Sequence, residues 1–276
     1  MSTIQAQERE DPKFSSKAES RAKSLSQQIQ QEIIQLKNHE WAGEYYEGDG
    51  TGENVSLLIA PKHGYVFEWH GCLGLYDRNY GSVTVTNGKL QLSFTFTNKH
   101  EGFEGIAEKF VPVHWGDRKY LIPANDMVGF CNAVNSREEP RNEIHGRFLL
   151  SQGDEKKKVT GKPSIPAEFT GYLLKAPIEA NIIKVISSKS WTNSHGWQVR
   201  ETGILINAGK KQGLLPGMEL SVTSPDIVES LTVKTVADQQ AEGIIKQIDE
   251  KDVPEIGWKF STIPRWRLRE YQATPE

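Results

Sequence analysis

Cysteine is scarce in this 276-residue sequence, which contains only Cys72 and Cys131. Two thiols cannot by themselves supply the four ligands of a structural zinc site. In an oxidising compartment they could form one disulfide that closes a loop of about 60 residues and stabilises the fold by about 4 kcal/mol in the chain-entropy model. Two buried thiols explain the same composition equally well, so both interpretations stay open.

Long hydrophobic runs and a large excess of either charge are also missing. No apolar stretch approaches the roughly 18 residues of a transmembrane helix, so the sequence predicts no membrane span. The formal net charge is -3, which provides no general attraction for nucleic acid. We therefore expect a protein with neither a membrane span nor a nucleic-acid partner.

The first residues, MSTIQAQERED, lack the apolar segment of a signal peptide. However, residues 4–8 are similar to the polar stretch that follows a signal cleavage site. We expect a periplasmic or secreted protein if a signal peptide is missing from this N-terminus, and a cytoplasmic protein otherwise.

Catalytic and cofactor motifs are absent from the sequence as well. It has no nucleophile elbow, no Walker A loop, no HExxH zinc motif and no EF-hand loop. The glycine-rich stretch 48–52 joins two predicted strands, so it lacks the helix N-terminus on which phosphate-binding loops depend. We predict no catalytic residues, no metal site and no cofactor, and we do not expect an enzyme.

Residues 1–13 are polar and are predicted to be disordered, and an amphipathic helix is predicted to follow them. Ser15 or Ser16 can cap its N-terminus, and it should end near Asn38. Its apolar residues recur every three or four positions and form one stripe: Ala18, Ala22, Leu25, Ile29, Ile33 and Leu36. We expect this stripe to pack on the helix's own domain, with a coiled coil or a membrane-surface helix as alternatives.

The apolar period changes to two between residues 41 and 150, which predicts an antiparallel β domain. Its clearest features are an Asn87-Gly88 hairpin and a half-buried strand whose apolar residues are Leu90, Leu92, Phe94 and Phe96. A glycine-rich corner is predicted before this hairpin, and Pro123 is predicted to open a short helix at 123–135. We expect a meander that curls into a barrel-like sheet or is covered by the helices.

Proline and glycine recur through residues 151–177, which predicts a linker. Its run Lys156-Lys157-Lys158 is expected at a solvated hairpin tip, although a polyanion contact would also use it. Residues 178–263 then show six short apolar segments, near 178–186, 199–207, 218–223, 231–236, 241–248 and 257–262. These segments predict a small six-stranded β-barrel, followed by a basic tail at 264–276. The predicted fold class is therefore mainly β.

One aromatic segment is a candidate ligand site. Tyr65, Phe67, Trp69 and His70 lie on one predicted strand, and aromatic walls with a few polar groups are typical of ligand-binding barrels. A core of large residues would give the same pattern. His70 and Cys72 could also project to one side of an extended chain, as a metal site or a Cys/His nucleophile pair requires. Further metal ligands would come from the remaining candidates His63, His100, His114 and His145.

The segment 204–220, ILINAGKKQGLLPGMEL, indicates a strand, a glycine-containing loop and a Pro-Gly turn that starts the next strand. Gly209 and Gly213 are expected to permit tight turns, and Leu214 is expected to plug the barrel. Over 178–262 the pattern resembles the C-terminal domain of the flagellar assembly protein T. It is also similar to the small barrels of the rod-shape-determining protein C and other bacterial envelope proteins. The resemblance implies an interaction or assembly role, usually in the envelope, and no catalysis.

Residues 41–150 resemble an uncharacterised bacterial family, with Trp41–Tyr46 and the run 69–81 as its signatures, and their meander is similar in pattern to lipocalin-like barrels. We therefore expect a non-enzymatic bacterial envelope or exported protein that acts through a protein partner. One alternative is a small-ligand or metal-binding β-barrel. The other is a hydrolase of an unrecognised type, which would need His70 or His114 beside an exposed nucleophile.

Overall fold

The computed structural model of the chain describes residues 11–48, 52, 54–100, 103–140, 148–248 and 252–267. The chain divides into two compact units. The first unit comprises Met1–Asp126 and Pro140–Ile165, and the second comprises Met127–Glu139 and Pro166–Glu276. Each unit has its own hydrophobic core. The predicted mainly β class is confirmed, because a nine-stranded sheet and a six-stranded barrel make up most of the two units.

The described part of the first unit contains one α-helix and eleven strands. These elements are α1 (Ser16–Leu36), β1 (Gly43–Gly48), β2 (Asn54–Ala60), β3 (Gly64–Gly71), β4 (Gly74–Gly81), β5 (Val83–Thr86), β6 (Lys89–Leu92), β7 (Lys99–His100), β8 (Phe103–Glu104), β9 (Lys109–Trp115), β10 (Arg118–Pro123) and β11 (Leu149–Ser151). Nine strands form one antiparallel sheet in the order β4-β3-β2-β1-β11-β10-β9-β6-β5, and β7 pairs with β8.

The two ends of this sheet approach each other, so the sheet is nearly closed. The amides of Ser93 and Thr95, just after β6, donate to the carbonyls of Ser82 and Tyr80 at 3.0 and 3.1 Å. Gly81 permits this approach, because a Cβ at that position would lie 1.8 Å from the carbonyl oxygen of Ser93. The curl predicted from the apolar alternation is thus observed.

Helix α1 begins and packs as its sequence predicts. The Ser15 hydroxyl accepts a hydrogen bond from the Ala18 amide at 3.3 Å and caps the N-terminus. Ala22, Leu25 and Ile29 are buried in the core, and α1 contacts β2 and β3. The helix therefore covers its own sheet. Among the described helices, none has the length and hydropathy needed to cross a membrane.

Residues 11–14 form an ordered lead into α1, which corrects the prediction of disorder for residues 11–13; residues 1–10 lie outside the described residues. The Lys13 ammonium lies 2.9 Å from Asp77 Oδ1 and donates to the carbonyl oxygen of Thr97 at 3.2 Å. The two side chains of this ion pair are only 2% and 1% exposed. A buried ion pair therefore attaches this polar segment to the sheet.

Strand β4 occupies the segment for which the sequence predicts a glycine-rich corner. Its central residues Asp77, Arg78 and Asn79 are buried, although aspartate and asparagine are depleted in strands. Asn79 Oδ1 accepts hydrogen bonds from the amides of Thr95 and Phe96 at 3.1 and 3.3 Å. Asn79 Oδ1 is thus the acceptor for two backbone amides that lie beside β4.

The strand predicted to run through Phe96 is shorter in the structure, because β6 ends at Leu92. Phe94 and Phe96 are still partly buried, and the polar residues between them are exposed. After Leu92 the backbone amides of Ser93 and Thr95 keep the β5–β6 register and bond to Ser82 and Tyr80, and the Asn79 side chain binds the amides of Thr95 and Phe96. The alternation therefore predicts the burial of these side chains but not the partner of their backbone.

Residues 152–165 belong to the first unit, so the predicted linker 151–177 is divided between the two units. Arg118, which is 1% exposed, donates from Nε to the carbonyl oxygen of Lys157 at 2.6 Å. Lys157 Nζ lies 2.5 Å from Asp154 Oδ1. The middle of the predicted lysine run thus packs on β10 by its backbone and pairs its ammonium with a nearby carboxylate.

The second unit contains a helix and a closed antiparallel barrel. Its elements are α2 (Met127–Asn135), β12 (Glu179–Thr192), β13 (Gln198–Ile206), β14 (Glu219–Ser224), β15 (Ser230–Val236), β16 (Ala241–Ile248) and β17 (Lys259–Ser261). The strand order is β12-β13-β16-β15-β14-β17. The prediction of a six-stranded barrel is confirmed, although β12 extends six residues beyond its predicted end at residue 186.

Helix α2 begins at Met127, whereas Pro123 ends β10 instead of opening the helix as predicted. The helix also belongs to the second unit rather than to the predicted domain 41–150. Asn132 Nδ2 donates to the carbonyl oxygen of Gly217 at 3.1 Å, and Asn135 Nδ2 donates to that of Tyr172 at 2.8 Å. These bonds attach α2 to loops of the barrel.

The glycine-containing loop that precedes β14 contributes to the barrel interior, as the sequence predicts. Leu214 is fully buried in the barrel core, as expected for a plug. Gly213 has a φ of 96°, which favours glycine. Gly209 is extended instead, with a φ of -152°. It is required for close packing, because a Cβ there would lie 2.4 Å from the carbonyl oxygen of Ala237.

Candidate functional site

The predicted aromatic wall lies in the core of the first unit. Tyr65 is 0% exposed and Phe67 is 2% exposed, and both pack within the main hydrophobic cluster. Burial, reinforced by the negative charge of Asp77, raises the pKa of Tyr65. Trp69 is half-buried and His70 is exposed. Tyr65 and Phe67 therefore have no surface to offer a ligand, and this filled interior favours the interpretation of the segment as core.

The two cysteines lie in different surroundings. Cys72 is exposed in the turn between β3 and β4, whereas Cys131 is buried in α2. Burial raises the pKa of the Cys131 thiol to about 12. Both residues are described, and no disulfide joins them. The alternative of a disulfide is therefore wrong for this structure.

Two of the histidines considered as metal ligands bind groups of their own unit. His63 Nδ1 lies 2.7 Å from Glu32 Oε2, and His114 Nε2 lies 3.2 Å from the carbonyl oxygen of Glu40. His145 and the side chain of His100 lie outside the described residues. Within the described residues, no group of three His, Cys, Asp or Glu side chains is arranged to hold a metal ion.

A groove of about 500 Å³ lies in the second unit, between the β14–β15 connection and the residues that follow β17. Asp226, Arg265 and Trp266 are among its lining residues. Arg265 Nη1 lies 2.7 Å from Asp226 Oδ1, and the Arg267 guanidinium lies 4.4 Å from the Trp266 ring centroid. The described start of the predicted basic tail therefore interacts with its own unit; residues 268–276 lie outside the described residues.

The β12–β13 hairpin is the longest feature of the barrel, and its turn is well defined. The Asn193 amide donates to the carbonyl oxygen of Trp197 at 3.0 Å. Asn193 Oδ1 accepts hydrogen bonds from the amides of His195 and Trp197, both at 3.0 Å. Gly196, with a φ of 84°, completes the turn. Backbone and side-chain bonds thus fix the tip of the hairpin in one conformation.

Large apolar side chains are exposed near this tip. Trp191 pairs with Val199, and Val199 pairs in turn with Ile248, so the three lie in one row across β12, β13 and β16. Trp197 lies two residues before Val199, and side-chain alternation places it on the same side. Trp191 is 38% exposed, Trp197 is 51% exposed and Ile248 is 46% exposed. We name Trp191, Trp197 and Ile248, together with Val199, which is buried at 3% exposure, the tryptophan patch.

Charged groups border the tryptophan patch. Lys189 pairs with Glu201 in the β12–β13 ladder, and its ammonium lies 2.7 Å from Glu201 Oε1. The same ammonium lies 5.5 Å from the Trp191 ring centroid, within cation–π range. The His195 ring lies 5.6 Å from the Trp197 ring. The patch therefore combines flat apolar rings with a polar rim, as protein interfaces commonly do.

The outer edge of β12 is open over most of its length. Strand β17 pairs with β12 at residues 179–181, and the backbone of Ile182 bonds to Trp258 and Gly257 at 3.0 Å each. Beyond Ile182 the described residues show no backbone pairing of β12 except with β13. Register shifts interrupt the β12–β13 ladder between Ile182 and Lys184 and between Val185 and Ser187. From Ser187 to Thr192 the pairing is regular.

Comparisons with protein-family models, curated proteins and solved structures found no match. The resemblance of residues 178–262 to the flagellar assembly protein T therefore has no support beyond the sequence pattern.

The apolar pattern of the sequence does not reveal the tryptophan patch. It predicts strands near 178–186 and 199–207 and no strand between them, although Trp191 and Trp197 both lie there. The signal that could have revealed the patch is the pair of tryptophans flanking the Asn-Ser-His-Gly segment 193–196. When two tryptophans flank a short turn, their rings are predicted to be exposed, because the few residues of the turn cannot cover them.

Proposed function

We propose that this protein is a non-enzymatic interaction module whose partner-binding element is the β12–β13 hairpin. The observation that supports the proposal is the tryptophan patch on a hairpin whose turn is hydrogen-bonded and whose ladder is regular from Ser187 to Thr192. Contiguous exposed apolar surface marks interaction sites, and tryptophan is enriched among the residues that contribute most to binding.

The rigidity of the hairpin favours binding through it. Residues already held by a ladder and a bonded turn lose little conformational freedom when a partner docks. Lys189 is held by Glu201, so its ammonium is positioned at the rim before any partner arrives. We therefore propose that a partner binds the rings of Trp191 and Trp197 centrally and the rim charges peripherally.

The cellular location is also a proposal, and the sequence resemblance of residues 178–262 to envelope barrels supports it. We propose that the protein acts in the envelope or is exported. Fractionation of cells that express the protein natively, followed by immunoblotting, tests this. We expect the protein in the periplasmic or extracellular fraction, and its recovery with cytoplasmic markers would contradict the location without affecting the hairpin.

Site-specific photo-crosslinking in native cells tests the hairpin as the binding element. A photoreactive phenylalanine analogue replaces His195, which lies beside Trp197, and a matched control replaces Val85, which is 53% exposed in the first unit. We expect a discrete crosslinked species from position 195 and none from position 85. The species should disappear in the Trp191→Ser/Trp197→Ser background. Equal labelling at both positions would refute the proposal.

A further inference from the structure

The open edge of β12 has the features of a strand that accepts another strand. Unpaired N–H and C=O groups along a sheet edge can bond to an added chain, and such addition is a recurrent mode of recognition. Here the edge extends from Lys184 to Thr192, and these residues are exposed. The edge adjoins the tryptophan patch, since Trp191 belongs to both.

The β-bulges that interrupt pairing are confined to the first part of this edge. Bulges are one device that prevents edge-to-edge pairing, and both register shifts precede Ser187. Between Ser187 and Thr192 the only charged residue is Lys189, whose ammonium is paired with Glu201. This second part is therefore regular and rich in small serine side chains, and Lys189 is its single charge.

The backbone geometry shows which groups are available. Asn193 and Trp197 form a hydrogen-bonded pair, and hydrogen-bonded and non-hydrogen-bonded pairs alternate along an antiparallel ladder. Counting back from that pair, the N–H and C=O groups of Ser188, Ser190 and Thr192 point away from β13. These three residues supply the hydrogen bonds for an added strand.

We propose that a second copy of this chain occupies the edge, with the two β12 strands antiparallel about a two-fold axis at Ser190. This inference rests on the proposed function of the hairpin. In this register Ser188 of each copy faces Thr192 of the other, so the outward backbone groups meet. Lys189 of each copy faces the Trp191 ring of the other. The charges are therefore complementary: each ammonium meets an aromatic face rather than another ammonium.

The pairing is self-complementary, as a two-fold interface requires, and it closes after two copies. It also brings the two tryptophan patches side by side into one larger apolar surface. Within the described residues, this edge is the only part of β12 that is both regular and unpaired. Once a second copy occupies it, no further copy can add to β12.

Sedimentation velocity of the full chain over a concentration series tests the proposal. We expect a monomer–dimer equilibrium. Ser190→Pro removes the central outward N–H, and proline is tolerated where an edge N–H faces solvent. We expect this variant to weaken dimerisation at least tenfold, while Ser190→Ala dimerises like the original protein. Circular dichroism shows whether each variant is folded. A monomer at every concentration, or a dimer that a folded Ser190→Pro variant leaves unchanged, overturns the proposal.

A second measurement decides the matter if Ser190→Pro does not fold. In a Cys72→Ser background, which removes the exposed native thiol, Ser190→Cys places two thiols at the two-fold axis. Opposed residues of neighbouring strands lie within the Cα separation that a disulfide requires. We expect a covalent dimer on mild oxidation, and its absence overturns the proposal. A monomer that still crosslinks from position 195 to a different protein overturns the dimer but supports the proposed function.

Discussion

The ion pair between Lys13 and Asp77 is almost fully removed from solvent, and this makes the loss of either charge costly. Lys13→Met would leave the Asp77 carboxylate buried without its ammonium, and we expect a loss of about 3–5 kcal/mol in the free energy of unfolding. Urea denaturation measures it. The double variant Lys13→Met/Asp77→Asn should recover part of the loss. A single variant as stable as the original protein would contradict the buried pair.

Glu32 in α1 forms a second contact between distant segments, and it makes the stability depend on pH. Burial alone would raise the pKa of Glu32, but the Lys62 amide and both the side chain and the amide of His63 bond to the carboxylate and together lower its pKa. A lowered pKa in the folded state contributes stability that is present above the ordinary glutamate pKa. That contribution is lost as the pH falls through the folded pKa.

We therefore expect Glu32→Gln to destabilise the protein by about 1–3 kcal/mol at neutral pH and by less in acid, because protonation removes the same interaction from the original protein. Chemical denaturation at a series of pH values measures this. Glu19→Gln, at an exposed position of the same helix, is the matched control and should change little. Equal effects at both positions would contradict the assigned role of Glu32.

None of these polar contacts is visible in the sequence. Lys13 lies in a polar lead, and its partner is 64 positions away in a segment without apolar alternation. Sequence patterns report the faces of helices and strands, whereas a buried ion pair depends on which distant segments meet. The same limit applies to the tryptophan patch, since no periodicity shows which side of a hairpin lacks a covering element.

The Asn79 side chain helps to hold the segment after β6 against β4. Asn79 accepts hydrogen bonds from the amides of Thr95 and Phe96 and donates to the carbonyl oxygen of Phe96 at 3.0 Å. We expect Asn79→Ala to remove the acceptor of the Phe96 amide and to speed hydrogen exchange there, whereas the Thr95 amide keeps its bond to the carbonyl oxygen of Tyr80. Exchange measured by NMR tests this, with the Val113 amide in β9 as reference. Unchanged exchange at Phe96 would show that Asn79 does not hold the segment.

The tryptophans of the hairpin should contribute little to stability. Because Trp191 and Trp197 are exposed, we expect the double substitution to serine to change the free energy of unfolding by less than about 1 kcal/mol. Trp258 is 6% exposed in the barrel core, and Trp258→Ser should cost about 3–5 kcal/mol. Thermal and chemical denaturation measure the free energy of unfolding of both variants and of the original protein. A large loss from the exposed pair would mean that the rings serve folding rather than binding.

The elements that the sequence predicted well are those with one buried and one solvated face. Strands of the barrel and helix α1 have that property, so apolar periodicity identifies them. Strand β4 lacks this apolar periodicity, because it buries Asp77, which pairs with Lys13, and Asn79, which bonds to backbone groups. Strand β12 is missed beyond residue 186 because its distal part is exposed on both sides and has no face to bury.

At the scale of the whole molecule, the chain crosses between the two units more than once, and this could not be predicted. Residues 127–139 leave the first unit to join the second, and residues 140–165 return. Composition marks a boundary only where it changes, and of the three crossings only the one at 165–166 lies in the proline- and glycine-rich stretch expected as the linker. The division rests on contacts, such as those of Asn132 and Asn135 with barrel loops.

The proposed function requires that the barrel present the tryptophan patch to a partner. Hydroxyl-radical footprinting of the protein in its native cells, compared with the purified protein at a concentration where it is monomeric, tests this most directly. Trp266, which is 54% exposed outside the patch, is the internal reference. We expect Trp191 and Trp197 to be oxidised much less in cells than in the purified protein, and Trp266 to be oxidised equally in both. Equal oxidation of all three tryptophans in both conditions would contradict it.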